Sequence, residues 1–83
     1  MRVSAAARKH GVRDEDIRAT VQDPLLVIAL DDEAPQRQMV LGFDTGARLL
    51  EVVVLVFADD REAIAIHAMA ARKQYRDLLQ ARS

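Results

Sequence analysis

The residues best suited to chemistry lie towards the two ends of this sequence. His67 lies near the end of the stretch "AIAIHA", and a basic run containing Arg72, Lys73, Tyr75 and Arg76 follows. Near the start, "RKHGV" sets Lys9 beside His10, while Arg48 comes just after a turn in mid-chain. Histidine changes charge close to neutral pH, so it can give or take a proton there. Cleaving RNA needs little more. A base takes the proton from the 2′-hydroxyl, an acid protonates the leaving oxygen, and cations stabilise the extra negative charge on phosphorus. On this reading His67 or His10 transfers the proton, with Tyr75 as an auxiliary donor or stacking platform. Lys9, Arg48, Arg72, Lys73 and Arg76 are then the phosphate contacts.

Each of these residues also has a plainer reading. A basic amphipathic helix is usually solvated, its arginines lying along apolar surface with their charged heads in water. His67 on a strand end serves equally as a surface or helix-capping histidine. His10 and Lys9 fall in the last turn of a short helix, where cations suit the negative end of the dipole. Arg48, after a turn, reads as exposed.

Other chemistries find little footing. Two histidines with no cysteine and no carboxylate at ligand spacing make a metal site improbable. Asp31–Asp32 and Asp59–Asp60 are neighbours within turns, where adjacent carboxylates face different ways. The chain shows no catalytic-triad spacing, phosphate-cradling glycine loop or dinucleotide fingerprint. With three glycines in all, no nucleotide cofactor is expected.

The elements that position these residues follow from local pattern. "SAAARKHG" reads as a short helix, with Ser4 as N-cap and Gly11 as its stop. "RDEDIRATVQDP" reads as a second helix, capped by Asp14 and ending near Gln22 because Pro24 disfavours helical geometry before it. The period then changes. "LLVIAL" (Leu25 to Leu30) and "RQMVLGF" (Arg37 to Phe43) read as strands, with Pro35 marking the loop between them. "DTGA" is a hairpin turn in which Gly46 is free to take positive φ. "RLLEVVVLVF" (Arg48 to Phe57) is the strongest strand, and its valines suit a central position with both faces buried. "AIAIHA" (Ala63 to Ala68) is the last strand, and a helix runs from about Met69 to near Arg82. Strand alternation sets Ile64 and Ile66 on one face and His67 with Ala65 on the other, so His67 points outward if the isoleucines face the core. On the last helix, Ala71, Tyr75, Leu78 and Leu79 share the face turned to the sheet. The expected architecture is α+β: two short N-terminal helices, an antiparallel four-stranded meander with helices on one face, and a C-terminal helix.

Size and composition bound the rest. Eighty-three residues make one small domain with a limited core. Apolar residues make up 51% and charged residues 30%, a foldable composition rather than a disordered one. The absence of cysteine fits a reducing compartment. No apolar stretch is long enough to span a bilayer, and the start lacks the apolar core of a secretory signal, so a cytoplasmic protein is expected. The net charge of −1 argues against indiscriminate nucleic-acid binding. Arg2, Arg8, Lys9, Arg13 and Arg18 nonetheless crowd one end, and Arg72, Lys73, Arg76 and Arg82 the other. If the ends meet in the fold, a basic face coexists with a neutral total.

Taken in order, "ARKHGVRDEDIRATVQDPLLVIALDD", "QMVLGFDTGARLLEVVVLVF" and "IAIHAMAARKQY" resemble the BrnT family of toxins from bacterial type II toxin–antitoxin systems. The resemblance runs from about Ala7 to Tyr75 and rests on the order and spacing of individually weak motifs. It implies a fold related to RelE-type ribonucleases and a cytoplasmic ribonuclease that blocks translation. It also implies a cognate antitoxin with a DNA-binding element, through which alone the complex would reach operator DNA. The matched positions put Lys9, Arg48, Arg72 and Lys73 near phosphate. Family members usually begin with a strand, whereas this chain starts almost at its first helix. An unpaired sheet edge could accept that strand from a second copy. Met69 stands where the family commonly has an arginine, the basic helix has no glutamate, and His67 replaces a small polar residue. The active site is therefore expected to differ, to use His67, or to be lost. A second reading keeps the fold without catalysis: an interaction module whose basic helix docks a regulatory partner.

Overall fold

The computed structural model describes residues 1–82; Ser83, and the side chain of Arg82 counted above among the C-terminal cations, lie outside what is described. The chain is α+β, with strands β1 (Arg2–Val3), β2 (Leu26–Ala29), β3 (Gln36–Phe43), β4 (Leu49–Val56) and β5 (Ile64–Ala70). A 3-10 turn covers Ala5–Arg8, and two α-helices follow, α1 (Asp14–Gln22) and α2 (Lys73–Arg82). The strands form one sheet in the order β1-β5-β4-β3-β2. Three neighbouring pairs are antiparallel, while β1 lies parallel to β5.

This corrects the expected four-stranded antiparallel meander. The strand expected to be missing is present, supplied by the chain itself: Arg2 and Val3 pair with Ile64 and Ala65. Two residues carry no periodicity, so local pattern could not reveal it.

The first expected helix is a single 3-10 turn. Its start is as the sequence implies, since the Ser4 hydroxyl accepts from the Ala7 N–H at 3.3 Å. Gly11 ends the segment with φ +78°, a conformation glycine adopts without steric cost. α1 ends at Gln22, two residues before Pro24, and carries Asp14, Glu15 and Asp16 in its first turn, where carboxylates suit the positive end of the dipole. Its N-cap position is Arg13, which makes no capping bond; Asp14, expected to cap, instead pairs with Arg8.

The helices cover both faces of the sheet, not one. Val3, Ala7, Val12 and Ile17 pack against Val40, Leu50, Val52, Val54, Ala65 and Ala68 on the first face. Met39, Leu41 and Val53 pack with Leu26, Ile28, Ile66, Ala71, Tyr75 and Leu79 on the second, under α2. β4 is central and buried on both sides, as its valine run requires. Gly42 lets α1 close on β3: a Cβ there would sit 2.9 Å from the Thr20 carbonyl oxygen. Leu78 is 42% exposed and does not join Tyr75 and Leu79 against the sheet.

β5 continues to Ala70, past the expected change to helix at Met69. Pairing of Met69 with Glu51 and of Ala70 with Leu50 overrides the helical preference of "AMAA". Within the strand, the register shifts between Val53 and Val54: Val53 lies opposite His67, and Val54 opposite Ala65. Ile66 is the extra residue of a β-bulge.

Candidate functional site

That bulge decides where His67 points. Regular alternation would place it on the face opposite Ile66. The inserted residue breaks the alternation, so Ala65 and Ala68 both serve the α1 face while Ile66 and His67 both serve the α2 face. The expectation of an outward histidine sharing a face with Ala65 is therefore corrected. His67 is partly covered, its side chain 28% exposed, and its Nε2 lies 3.1 Å from a carboxylate oxygen of Glu51.

Glu51 organises the site. It sits in the middle of β4, opposite Leu41 on one side and Met69 on the other, with its side chain fully buried. Arg72, between β5 and α2, meets it three ways: the backbone N–H donates at 2.9 Å, Nε at 3.0 Å and Nη2 at 2.8 Å. With His67, four nitrogens face a carboxylate that has about four lone-pair positions. Burial pushes the Glu51 carboxyl up, but the bonds from Arg72 and His67 outweigh it and hold the group below its ordinary value. The Arg72 guanidinium is raised by the same hydrogen bonds. Sequence reading passed over Glu51, although its signal was visible: one carboxylate inside "LLEVVVLV", the most apolar strand of the chain.

The other candidates fall into two groups. His10 lies just after the 3-10 turn, and its ring meets that of His67 edge to face, with centroids 5.7 Å apart and planes inclined by 77°. Tyr75, on α2, packs towards the sheet with the Arg72 guanidinium 5.5 Å from its ring centroid. The contacts thus run as a chain from His10 to His67, through Glu51 to Arg72, and on to Tyr75. The remaining cations are less uniform. Arg48 is bound to Asp44 within the β3–β4 turn at 3.1 Å, and Lys73 is bound to Asp77 at 2.7 Å. The Lys73 pair is exposed on both sides and of the kind that exchanges readily with another anion, whereas the Asp44 side chain is only 7% exposed and also accepts two backbone N–H groups. Lys9 and Arg76 have no ion-pair partner among the described residues. Lys9 is next to His10 in the chain, and Arg76 is one helical turn beyond Arg72.

Glu51 and Arg72 cancel, which leaves the histidines, Lys9 and Arg76 to set the local potential. Among the described residues no three or more His, Asp or Glu side chains gather at metal-ligand spacing. A surface cavity of about 280 Å³ lies elsewhere, lined by Arg2, Phe57, Arg61, Glu62 and Ile64 at the start of β5. No described helix is long and apolar enough to cross a membrane. Compared with protein-family models, curated proteins and solved structures, the chain finds no match in any of the three.

Proposed function

We propose that this chain is a metal-independent endoribonuclease of the toxin type, similar in fold and role to the BrnT and RelE families. A cognate antitoxin would neutralise it. The observation that carries the reading is the pair of imidazoles 5.7 Å apart, one of them held by a fully buried carboxylate. Two such groups can divide the proton transfers of RNA cleavage between them. The neutral His67 takes the 2′-hydroxyl proton as the 2′-oxygen attacks phosphorus. The P–O5′ bond breaks, and protonated His10 delivers its proton to the departing 5′-oxygen. The products are a 2′,3′-cyclic phosphate and a free 5′-hydroxyl, so atoms and charge balance without a cofactor. Lys9 and Arg76, with Arg48 and Lys73 once released from Asp44 and Asp77, bind the phosphate backbone. The Tyr75 ring, already beside Arg72, offers a base a surface to stack on.

Purified protein is expected to cleave RNA in the presence of a chelator and to leave cyclic phosphate ends. His67→Ala and His10→Ala should each lower the rate by about a hundredfold or more. Products ending in 3′-hydroxyl, or undiminished cleavage in both variants, remove the two-histidine mechanism.

A non-catalytic interaction module remains the second reading, favoured by the free edge of β2. The register turns the backbone groups of Val27 and Ala29 away from β3, and Leu25 and Val27 are about half exposed beside them. An extended segment of an antitoxin-like partner could add there as a further strand. Val27→Pro removes an outward N–H without touching the β2–β3 ladder. Loss of partner binding in that variant, with no RNA cleavage by the wild type, would select this reading.

A further inference from the structure

We infer that Glu51 is a positioning residue for His67: it holds the neutral imidazole with its proton on Nε2 and so makes Nδ1 the nitrogen that accepts a proton. The chemical use of that nitrogen rests on the ribonuclease reading above, but the tautomer itself does not.

The argument begins with what a carboxylate can do. Ionised, it accepts hydrogen bonds and donates none. Arg72 supplies three donors, two to Oε1 and one to Oε2, which fixes the plane of the group. His67 Nε2 meets Oε2 at 3.1 Å, so that nitrogen must carry hydrogen. A neutral imidazole has one N–H, and placing it on Nε2 leaves the lone pair on Nδ1. Glu51 is fully buried, so it acts on an RNA substrate only through His67 and Arg72. When His67 accepts a proton, the resulting imidazolium already faces a carboxylate, which stabilises the cation without rearrangement.

Packing alone does not account for the residue. Glu51 lies opposite Leu41 and Met69, beside Val53, in a layer that a leucine or methionine would fill without loss of hydration. A buried ion pair seldom improves on such an apolar replacement. What the carboxylate adds is a fixed acceptor for two neighbours, one of them a histidine.

The test reads the resting protein first. Long-range ¹H–¹⁵N correlation above the imidazole pKa should show His67 of the wild type as the Nε2–H tautomer. In Glu51→Gln the size is unchanged, but Arg72 still demands an acceptor. The carboxamide oxygen should turn to Arg72 and its NH₂ to His67, which would move the His67 proton to Nδ1. In the same variant, kcat for RNA cleavage should fall by roughly tenfold to hundredfold with KM nearly unchanged. A wild-type Nδ1–H tautomer, or a folded Glu51→Gln variant that keeps Nε2–H, overturns the inference. The wild-type spectrum decides even if the variant does not fold. Absence of cleavage by the wild type, with the Nε2–H tautomer present, sinks the ribonuclease reading and leaves the positioning intact.

Discussion

Asp16 and Glu51 are both buried carboxylates, and they do different work. Asp16, on the first turn of α1, accepts the backbone N–H of Thr45 at 3.1 Å and the Thr45 hydroxyl, and takes Arg13 Nε at 3.3 Å. Those partners fasten a helix to the β3–β4 turn. None of them is a histidine, the side chain suited to proton transfer near neutral pH. Glu51 shares its oxygens between an arginine and a histidine that remains partly open to solvent. A buried acid alone is thus a poor guide to function. The informative combination is a buried acid holding a titratable group that solvent, and hence substrate, can reach.

The largest expected contrast is in activity. Asp16→Asn keeps the size of the side chain and should leave RNA cleavage within about threefold, while lowering Tm because the Thr45 donors and Arg13 lose a charged acceptor. His67→Ala should do the reverse, with cleavage lost by about a hundredfold or more and little change in Tm. Equal losses of activity in both variants would erase the distinction between a fastening and an active carboxylate.

Next in size is the packing that brings α1 close enough for Asp16 to reach Thr45. The Cβ added by Gly42→Ala would lie 2.9 Å from the Thr20 carbonyl oxygen, 3.2 Å from Thr20 Cγ2 and 3.4 Å from the Asp23 carbonyl oxygen. Two of those atoms are backbone, so the helix itself must shift. Gly42→Ala should cost about 1–3 kcal/mol, read as a lower midpoint in urea with an unchanged m value. A neutral result would mean that α1 rides loosely on the sheet.

Much of this scaffold was legible in the sequence because its determinants are local. Ser4 and Gly11 bound the first turn, Pro24 limits α1, and the valine run marks the central strand. The candidate site was less so, because its determinants are pairings between distant residues. β1 is too short to have a pattern, and it exists through its pairing with β5. Met69 and Ala70 favour helix by themselves but are held in β5 by Glu51 and Leu50. The bulge at Ile66 belongs to the β4–β5 register, so no reading of "AIAIHA" alone could turn His67 to the α2 face. Glu51 is the exception, since its charge inside an apolar strand was there to be seen.

The two carboxylates should also separate in their response to acid. Hydrogen bonds from the Thr45 hydroxyl and N–H lower the Asp16 pKa, while for Glu51 the bonds from Arg72 and His67 overcome the opposing effect of burial. A carboxylate depressed in the folded state contributes stability that is complete above its unfolded pKa and disappears as pH falls through the folded value. The reference values are 4.5 for the glutamate and 3.8 for the aspartate. Stability should therefore be level with respect to both groups near neutral pH. It should begin to fall around the glutamate value and fall further below the aspartate value. Glu51→Gln should flatten the first part of that decline and Asp16→Asn the second, measured by urea unfolding at successive pH values. A wild-type profile level down to pH 3 would show that neither carboxylate is preferentially ionised in the fold.

The smallest effect belongs to the turn that Asp16 grips. Gly46 was expected to take positive φ there, yet the left-handed residue is Ala47, at φ 63°. Asp44 explains the difference. Its side chain accepts the N–H groups of Gly46 and Arg48, each at 2.8 Å, and its backbone carbonyl accepts that of Ala47 at 3.1 Å. These bonds place the reversal one residue later than the glycine. An alanine in this conformation costs roughly 1 kcal/mol or more, whereas glycine has no such penalty but loses more chain entropy on folding. The two terms nearly offset, so Ala47→Gly should stabilise by less than about 1 kcal/mol, with RNA cleavage unchanged. A clear loss of stability would mean that the Ala47 methyl group makes a contact worth more than the backbone strain. The turn would then be held by packing as well as by the acceptors of Asp44 and Asp16.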